Sequence, residues 1–420
     1  MLDVHLFARR VGVLGARGRG ITFRYTPEAL EDDSVPALSV SLPKQEERYP
    51  DSRAGPFFRN LLPEQAFRRL VAAAAGAAEG DSRGLLGVIG GECPGAVALW
   101  PEGSSVPATP EYRDLAEADV AALFEPRERA AFASAVVRGR LSLPGVQEKI
   151  ALLRRPEGGW ALPLNGAITS HILKQASASF PGLLENEFLC LSLARATGLE
   201  VAPMELAGPG GRVLCVERFD RVFPGDSAGG VRRKLHQEDF CQALATDPER
   251  KYEFDGGPGL RGCAEVIRRH SALPAEDLAR LVRWVGFNHV IGNEDAHAKN
   301  LALLYGDSGL RLSPHYDLVS TEIYPGLERR MAMKIGGAAD ARNVQRRDWE
   351  RFARALELPW PRVRIWLLDL LSGVREALPD ALHESATACG ESEVSAGVVE
   401  VVARRGERLE RELVDRRGQG

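Results

Sequence analysis

A polar stretch in the second half of the chain carries the strongest chemical signal. Residues 291–300 read IGNEDAHAKN and follow a segment, 281–291, whose apolar spacing predicts an amphipathic helix. Phosphoryl transfer needs a carboxylate beside the attacking hydroxyl and an amide oxygen on a metal ion, and catalytic loops for it use D-x-x-x-x-N. Asp295 and Asn300 have that spacing. Because a capped polar surface loop could carry the same letters, the spacing alone does not establish a site.

A second acidic residue, Asp317, follows the polar loop after a predicted hairpin. Residues 301–305 and 310–313 alternate around the turn residues 306–309, which predicts a hairpin. The hairpin leads into HYDL at 315–318, so Asp317 lies where a kinase keeps its second metal-binding aspartate. The ordered series of helix, loop, hairpin and aspartate favours a functional site over a surface loop.

A lysine upstream could bind the phosphates of the nucleotide. Lys174 ends a predicted strand, 168–174, and a predicted helix, 185–198, opens shortly afterwards with Glu187 in its first turn. Phosphoryl-transfer sites of this kind hold the triphosphate with a strand lysine that a helix glutamate fixes. We expect Lys174 and Glu187 to pair. Taken alone, Lys174 would be an ordinary exposed lysine at a strand end.

The segment 140–149, RLSLPGVQEK, precedes another predicted strand and is a candidate phosphate loop. Its backbone N–H groups could cover phosphates, and Gly145 would permit a close approach. Val146, Gln147 and Lys149 complete the candidate binding set. The motif is not G-x-G-x-x-G, and a Pro-Gly pair is most often only a turn.

The N-terminal region reads as a small mixed module. Residues 2–13 and 20–25 have strand patterns, and the glycine run 15–20 between them predicts a hairpin turn because no helix pattern follows it. Residues 38–42 alternate like a further strand. An alanine-rich helix is predicted over 62–79, with a proline in its first turn.

A Pro/Ser/Thr-rich stretch at 101–110 is the best linker candidate, and the chain becomes mainly helical after residue 237. We therefore predict three regions. They are an N-terminal module at 1–102, a small lobe with the phosphate loop and strand lysine at 103–240, and a mainly helical lobe with the catalytic loop at 241–420.

Composition narrows the class of protein. The chain has 420 residues, 44% hydrophobic and 27% charged, which is typical of a folded globular protein of two or three domains. The net charge of −4 gives no whole-molecule attraction to nucleic acid or anionic membranes. The six cysteines have no zinc-ligand spacing and read as buried reduced thiols. Without a signal-peptide pattern or a spanning apolar run, we expect a cytoplasmic protein and no membrane association.

Several of these stretches belong to one recognisable series. In order and spacing, LSLPGVQEKIALL, SHILK, ENEF, VERFDR, QEDFCQAL, GNEDAHAKN, HYDL and MKIGG resemble the motifs of HipA-type serine/threonine kinases. The N-terminal strings FRYTPEAL, LSVSLP, FFRNLLPE and LLGVIGGECPGAVAL are similar to the first module of that family. The resemblance covers residues 1 to about 340, and GNEDAHAKN and VERFDR are its most specific parts.

The resemblance implies an α+β fold with two lobes, distantly like a protein kinase, a mixed β-rich N-terminal module and a mainly α-helical C-terminal lobe. It also implies ATP and Mg²⁺ as cofactors. The implied roles are a catalytic base at Asp295, metal ligands at Asn300 and Asp317, a phosphate-binding lysine at Lys174, and adenine contacts through the backbone at Glu238 and Phe240.

The family also implies a regulatory residue and partners. Ser142 matches the serine that HipA-type kinases phosphorylate on themselves, although a hydroxyl here could simply cap a turn. The implied partners are a helix-turn-helix antitoxin of HipB type, operator DNA through that antitoxin only, and a protein substrate such as an aminoacyl-tRNA synthetase. Such a kinase would be the toxin of the pair.

Two other classes of function remain open at this point. One is a catalytically silent module that acts through its antitoxin as an operator co-repressor, against which the intact Lys174, Asp295, Asn300 and Asp317 argue. The other is a kinase for a small molecule or a lipid head group, because a fold does not fix the acceptor. The chain has no basic amphipathic segment that would support the lipid acceptor.

Overall fold

The computed structural model describes residues 1–18, 20–125, 128–145, 147–175, 180–207, 213–223 and 233–414. Its N-terminal region is an antiparallel sheet of order β3-β2-β1-β4 with four short helices. The strands are β1 (Leu2–Leu6), β2 (Arg9–Arg17), β3 (Gly20–Tyr25) and β4 (Val97–Pro101). The helices are α1 (Pro27–Glu31), α2 (Asp51–Arg59), α3 (Gln65–Ala75) and α4 (Ser82–Ile89).

The predicted hairpin is confirmed, with Arg17 opposite Gly20 and the left-handed Gly18 between them. The turn needs a positive φ, which glycine adopts without a steric penalty. The predicted helix at 62–79 is present but shorter, as α3.

The predicted strand at 38–42 is wrong, because the segment makes only an isolated bridge. Its leucines are buried, as an alternating strand would require. The serines between them do not face solvent. Ser39 and Ser41 instead bind Glu238 and the carbonyl oxygen of Gln242, so buried polar contacts replace the ladder.

The second sheet forms the small lobe and is antiparallel throughout, in the order β5-β7-β6-β8-β10-β9. Its strands are β5 (Glu111–Leu115), β6 (Lys149–Arg154), β7 (Trp160–Leu164), β8 (His171–Gln175), β9 (Met204–Ala207) and β10 (Val213–Glu217). Helices α5 (Glu117–Leu123), α6 (Arg129–Gly139) and α7 (Leu183–Ala196) accompany it. The predicted strand lysine thus lies near the end of β8, and the predicted helix follows as α7.

The remaining chain is mainly helical, as predicted. Its helices are α8 (Phe240–Ala243), α9 (Leu260–His270), α10 (Pro274–Ile291), α11 (Arg346–Ala355), α12 (Trp360–Cys389) and α13 (Glu393–Leu413). Between and before them lie β11 (Arg221–Val222), β12 (Arg233–Lys234), β13 (His236–Asp239), β14 (Ala302–Gly306), β15 (Gly309–Leu312), β16 (Arg330–Ile335) and β17 (Ala338–Asp340). The hairpin predicted after the catalytic loop is confirmed as β14 and β15, and β13 pairs with its first strand.

Two hydrophobic cores hold these parts together. One surrounds α10 and includes residues of α7, α12 and α13. The other contains residues of the N-terminal sheet together with β6, β8 and β10 of the small lobe. The predicted boundary at residue 102 is therefore not a break in packing, because apolar side chains on both sides of it share one core.

A buried ionic network joins the N-terminal sheet to the small lobe. Glu92, from the loop after α4, contacts Arg218, Arg221 and Lys234. Burial alone would raise the pKa of Glu92, but these three cations lower it to about 2. The carboxylate stays ionised, which fits a fully paired buried charge.

All six cysteines are unpaired thiols, and five of them are buried as predicted, whereas Cys389 is half-buried. Burial raises the pKa of the Cys93, Cys190 and Cys215 thiols to about 12, so they are inert. Within the described ranges, no helix has both the length and the apolar character needed to cross a membrane.

Candidate active site

The predicted pair of Lys174 and Glu187 is present in the structure. Lys174 Nζ lies 2.5 Å from Glu187 Oε1, and both side chains are buried. The ammonium also contacts Asp317 Oδ1. Burial alone would lower the pKa of Lys174, but Asp317 and Glu187 raise it above its ordinary range, so the lysine stays charged.

Asp317 follows the β14–β15 hairpin and adopts a left-handed backbone, with φ of +53°. A non-glycine residue in this region is uncommon and strained, and such residues cluster at functional sites. Burial alone would raise the pKa of Asp317, but Lys174 and Lys149 hold it well below its usual range. Asp317 is therefore a permanently ionised carboxylate, with 37% of its side chain open to solvent.

The predicted catalytic loop begins where α10 ends at the left-handed Gly292. The Asp295 amide donates to Asn293 Oδ1 at 3.1 Å, and Asn300 Nδ2 donates to the Asp295 carbonyl oxygen at 3.3 Å. Asn293 Nδ2 also reaches the Asp317 carbonyl oxygen at 3.5 Å. These bonds hold the three predicted catalytic and metal-binding residues in one unit. Asp295 itself is exposed, as its predicted role beside an acceptor hydroxyl requires.

The candidate phosphate loop lies over the same site. Gly145 has a φ of +111°, a conformation that side-chain-bearing residues rarely adopt, and a Cβ built there would come 2.8 Å from Lys149 Nζ, so the lysine end would have to shift. Lys149 and Lys174 are register partners on β6 and β8. Gln147 Nε2 donates to the Gln175 carbonyl oxygen at 3.1 Å, which ties the loop to the end of β8.

One predicted member of this loop, Val146, lies outside the described residues. Lys149 and Lys174, by contrast, are described and lie opposite each other on neighbouring strands. Like charges opposite each other repel unless anions lie between them. Asp317 and Glu187 supply negative charge beside Lys174.

The two residues predicted to contact adenine are placed differently from the rest. The Phe240 amide donates to the Leu301 carbonyl oxygen at 3.1 Å, and the Phe240 ring is in the core. Glu238 uses its buried carboxylate to bind Ser39 and Tyr305. The Phe240 amide is therefore already engaged, and neither side chain reaches the lysine and aspartate cluster; the adenine contact stays a prediction.

Ser142 is fully buried rather than on an open loop. Its hydroxyl donates to the Leu61 carbonyl oxygen at 2.7 Å, and its amide donates to the Glu92 carbonyl oxygen at 2.9 Å. Both partners belong to the N-terminal module. Phosphorylation of Ser142 would require this segment to leave those contacts.

Several residues that touch the site were not predicted from the sequence. Tyr252 Oη donates to Asp295 Oδ1 at 2.8 Å. Glu64, from the N-terminal module, lies between Lys251 and Lys299, 2.9 and 2.7 Å away. Glu64 ends the FFRNLLPE string, and Lys299 belongs to GNEDAHAKN, so the motifs contained both residues without indicating that they meet.

The arrangement defines a class of protein. A strand lysine paired with a helix glutamate, an exposed aspartate held by an asparagine, and an ionised aspartate after the next hairpin are the parts of a kinase site. Together with the two-lobed α+β architecture, these parts make the chain a kinase, which takes its phosphoryl group from ATP.

The particular family follows from comparison with known proteins. The chain belongs to the HipA family, since residues 141–378 match the HipA-like C-terminal domain and residues 2–100 match the HipA N-terminal domain. It is 39% identical over 392 residues to the putative kinase Y4mE of Sinorhizobium fredii, covering 92% of each chain. It is 30% identical over 397 residues to the serine/threonine-protein kinase toxin HipA of Shewanella oneidensis, covering 91% of this chain and 88% of the relative.

A solved structure shares the whole fold. The complex of Shewanella oneidensis HipA with HipB and its operator DNA superposes with a TM-score of 0.82 and 26% sequence identity, covering 98% of each chain. The two-lobed α+β architecture expected from the sequence is thus confirmed across the chain, including the N-terminal sheet.

Proposed function

We propose that the chain is an ATP- and Mg²⁺-dependent protein serine/threonine kinase that acts as the toxin of a toxin–antitoxin pair. The observation that carries this proposal is the convergence of Lys174, Glu187 and Asp317 beside an exposed Asp295. Membership of the HipA family supports it, because a relative of 30% identity is a serine/threonine-protein kinase toxin.

The roles of the residues follow from their chemistry. Asp295 would accept the proton of the attacking hydroxyl, because its carboxylate is exposed and held by the loop. Lys174 and Lys149 would bind the phosphates, and Gly145 would let backbone N–H groups approach them. Asn300 would position Asp295 through the bond to its carbonyl oxygen.

The donor set also fits Mg²⁺, which prefers carboxylate and carbonyl oxygens. Asp317 offers an ionised carboxylate, and Asn300 uses its Nδ2 on the protein, which leaves its Oδ1 for an ion. These two residues would hold the ion. When bound, Mg²⁺ would neutralise charge on the phosphates of ATP.

The decisive test is Asp295→Asn. We expect phosphoryl transfer to fall by about a thousandfold, within the range typical for loss of a general base, while ATP affinity stays within about twofold. Transfer is measured with radiolabelled ATP in a cell extract and affinity by calorimetry. The control is Asp307→Asn, an exposed aspartate in the β14–β15 turn that pairs only with Arg233 among the described residues. Near-normal turnover of Asp295→Asn would remove it from this role.

We also propose partners of the kind found with the Shewanella oneidensis protein. That HipA was solved with HipB and operator DNA. For this chain we propose a helix-turn-helix antitoxin as direct partner, DNA contact only through it, and a translation-related substrate such as an aminoacyl-tRNA synthetase. Expression without the antitoxin should arrest growth, and Asp295→Asn should not. Equal arrest by both forms would favour a non-catalytic mechanism.

Autophosphorylation at Ser142 is proposed as self-inactivation. A phosphate adds roughly −1.5 to −2 charges at neutral pH and cannot fit where the hydroxyl is fully buried against Leu61. The phosphorylated segment would have to stay out of this buried position, and the phosphate loop would then be moved away from the nucleotide. Mass spectrometry after ATP treatment should find one phosphate on the Ser142 peptide, and none in Ser142→Ala. An unmodified peptide from a demonstrably active kinase would leave Ser142 a structural residue.

A further inference from the structure

Glu64 is a residue of the N-terminal module whose contacts lie in the active site. It occupies the N-cap position of α3, yet its side chain makes no capping hydrogen bond. The next residue, Gln65, has a strained left-handed φ of +47°. The backbone therefore departs from ordinary helix-start geometry at the point where the Glu64 carboxylate is directed away from its own helix.

The carboxylate lies between two buried lysines of the kinase. Lys251 Nζ donates to Oε2 at 2.9 Å, and Lys299 Nζ approaches Oε1 at 2.7 Å as an ion pair without good hydrogen-bond alignment. The three side chains are 11%, 8% and 5% exposed. Burial alone would raise the pKa of Glu64, but the two lysines lower it to about 2. The contact is therefore ionic at every physiological pH.

Each lysine directly precedes a residue of the site. Lys299 comes before Asn300, whose side chain holds Asp295. Lys251 comes before Tyr252, whose hydroxyl holds the Asp295 carboxylate. One carboxylate therefore anchors both segments that orient the proposed base.

Glu64 also contacts the phosphate loop through its backbone. Its amide donates to the Gly145 carbonyl oxygen at 3.1 Å, and Pro63 forms a parallel bridge with the same residue. The segment 63–64 thus links the phosphate loop to the catalytic loop, although it lies in the region that matches the HipA N-terminal domain.

We propose that Glu64 is a positioning residue for phosphoryl transfer, so that the N-terminal module completes the active site of the kinase. The inference rests on the proposed roles of Asp295 and Asn300. In this role Glu64 would act through its two lysine partners rather than by contact with nucleotide or acceptor. It fixes the segments that contain Tyr252 and Asn300 by neutralising Lys251 and Lys299, the lysines that directly precede them.

The test is Glu64→Gln, which keeps the shape and removes the charge. We expect kcat to fall about tenfold or more, as for a lost hydrogen bond between charged groups, with the dissociation constant of ATP nearly unchanged because the backbone bond to Gly145 remains. The matched control is Asp277→Asn, another buried carboxylate with two arginine partners, Arg280 and Arg311, at the far end of α10. It should lower Tm and leave kcat within about twofold of normal.

A double-mutant cycle with Lys299→Met separates positioning from general destabilisation. If Glu64 acts in part through Lys299, Glu64→Gln should lower kcat by a smaller factor in the Lys299→Met background than in the normal protein, because only its pair with Lys251 is then left to lose. Multiplicative losses, or equal losses of kcat in Glu64→Gln and Asp277→Asn, would overturn the inference. If Glu64→Gln does not fold, Lys251→Met breaks one of the two pairs. Its kcat should still fall by more than its loss of Tm explains. An unchanged kcat would contradict the proposal.

Failure of the positioning role of Glu64 can be distinguished from failure of the proposed kinase function. An inactive Asp295→Asn together with a fully active Glu64→Gln would refute the positioning role alone. An active Asp295→Asn would instead refute the catalytic assignment on which it rests.

Discussion

Tyr252 Oη donates a 2.8 Å hydrogen bond to Asp295 Oδ1, the oxygen of the proposed catalytic base. The ring is fixed by stacking on Phe254, with centroids 5.1 Å apart, and by an edge contact with His297. Burial and the neighbouring Asp295 raise the pKa of the Tyr252 hydroxyl above its ordinary range, so it remains a donor at physiological pH. Tyr252 thus orients one carboxylate oxygen, and in the proposed role the other would accept the proton of the acceptor hydroxyl.

Loss of this hydroxyl should slow chemistry without weakening nucleotide binding. For Tyr252→Phe we expect kcat to fall roughly tenfold, as for a hydrogen bond to a charged group, with the KM for ATP unchanged. Steady-state kinetics on a protein acceptor measure both. The control is Tyr112→Phe, because the Tyr112 hydroxyl bonds the Ile168 carbonyl oxygen in the small lobe, away from Asp295. A normal kcat in Tyr252→Phe would show that Asp295 needs no such support.

Removal of the Asp317 carboxylate should act on binding instead. We expect Asp317→Ala to weaken ATP affinity by about tenfold or more in the presence of Mg²⁺, because a metal ligand stabilises the bound triphosphate itself. Without Mg²⁺ the variant and the normal protein should differ much less. Calorimetry at fixed and at zero Mg²⁺ compares the two. Equal affinity losses in both conditions would make Asp317 a partner of Lys174 rather than a metal ligand.

Sequence alone predicted the parts of the site that are local in the chain. Lys174 and Glu187 are 13 residues apart and belong to consecutive elements, so strand and helix patterns were enough to pair them. Asp295, Asn300 and Asp317 fall within one helix, loop and hairpin series for the same reason. Their spacing in the sequence reflects the turn of a single local structure.

Contacts between distant segments could not be predicted in this way. Tyr252 and Asp295 are 43 residues apart, and Glu64 meets Lys251 across 187 residues. No periodicity records which loops of two separate modules come together, since tertiary packing decides it. The strand predicted at 38–42 fails for the same reason, because its serines are satisfied by residues about 200 positions away.

The carboxyl of Glu238 should make stability depend on pH. Burial raises its pKa to about 7 from an ordinary 4.5, despite bonds from Ser39, Tyr305 and the Val40 amide. The folded state therefore binds this proton more tightly than the unfolded state. The contribution of this protonated carboxyl to the free energy of unfolding is fully present below about pH 4.5 and is lost as pH rises through about 7. It amounts to something on the order of 3 kcal/mol in all.

Glu238→Gln tests this dependence, since a neutral amide can keep the same partners if Ser39 accepts a hydrogen bond. Relative to the variant, the normal protein should lose Tm steadily between pH 5 and pH 8. The variant Glu46→Gln, at an exposed position, should show a constant difference from the normal protein. Thermal melts across this range measure both. A constant difference for Glu238→Gln would mean that Glu238 does not titrate there.

The C-terminal helix should also support the catalytic loop. Arg405 of α13, beyond the part of the chain that matches the HipA-like C-terminal domain, lies 3.0 Å from Glu294 Oε1 and 2.7 Å from Glu322 Oε2. Glu294 directly precedes Asp295, and its backbone oxygen accepts from the Ala332 amide at 2.8 Å. Burial already raises the pKa of Glu294, and without Arg405 this carboxylate would lose its arginine partner, whereas Glu322 would keep Arg404.

Arg405→Met should therefore destabilise the protein by roughly 3 kcal/mol, as expected when one partner of a buried ion pair is removed. It should also lower kcat, because Glu294 can no longer fix the start of the loop that carries Asp295. The neighbouring Arg404 is the matched control. It bonds the other oxygen of Glu322 at 2.8 Å but is 59% exposed, against 3% for Arg405, so Arg404→Met should cost less than about 1 kcal/mol. Thermal melts and single-turnover transfer at a temperature well below both midpoints measure the two effects. Equal losses of stability and turnover in the two variants would mean that burial does not strengthen the Arg405 ion pair. The C-terminal helix would then not stabilise the loop that contains Asp295.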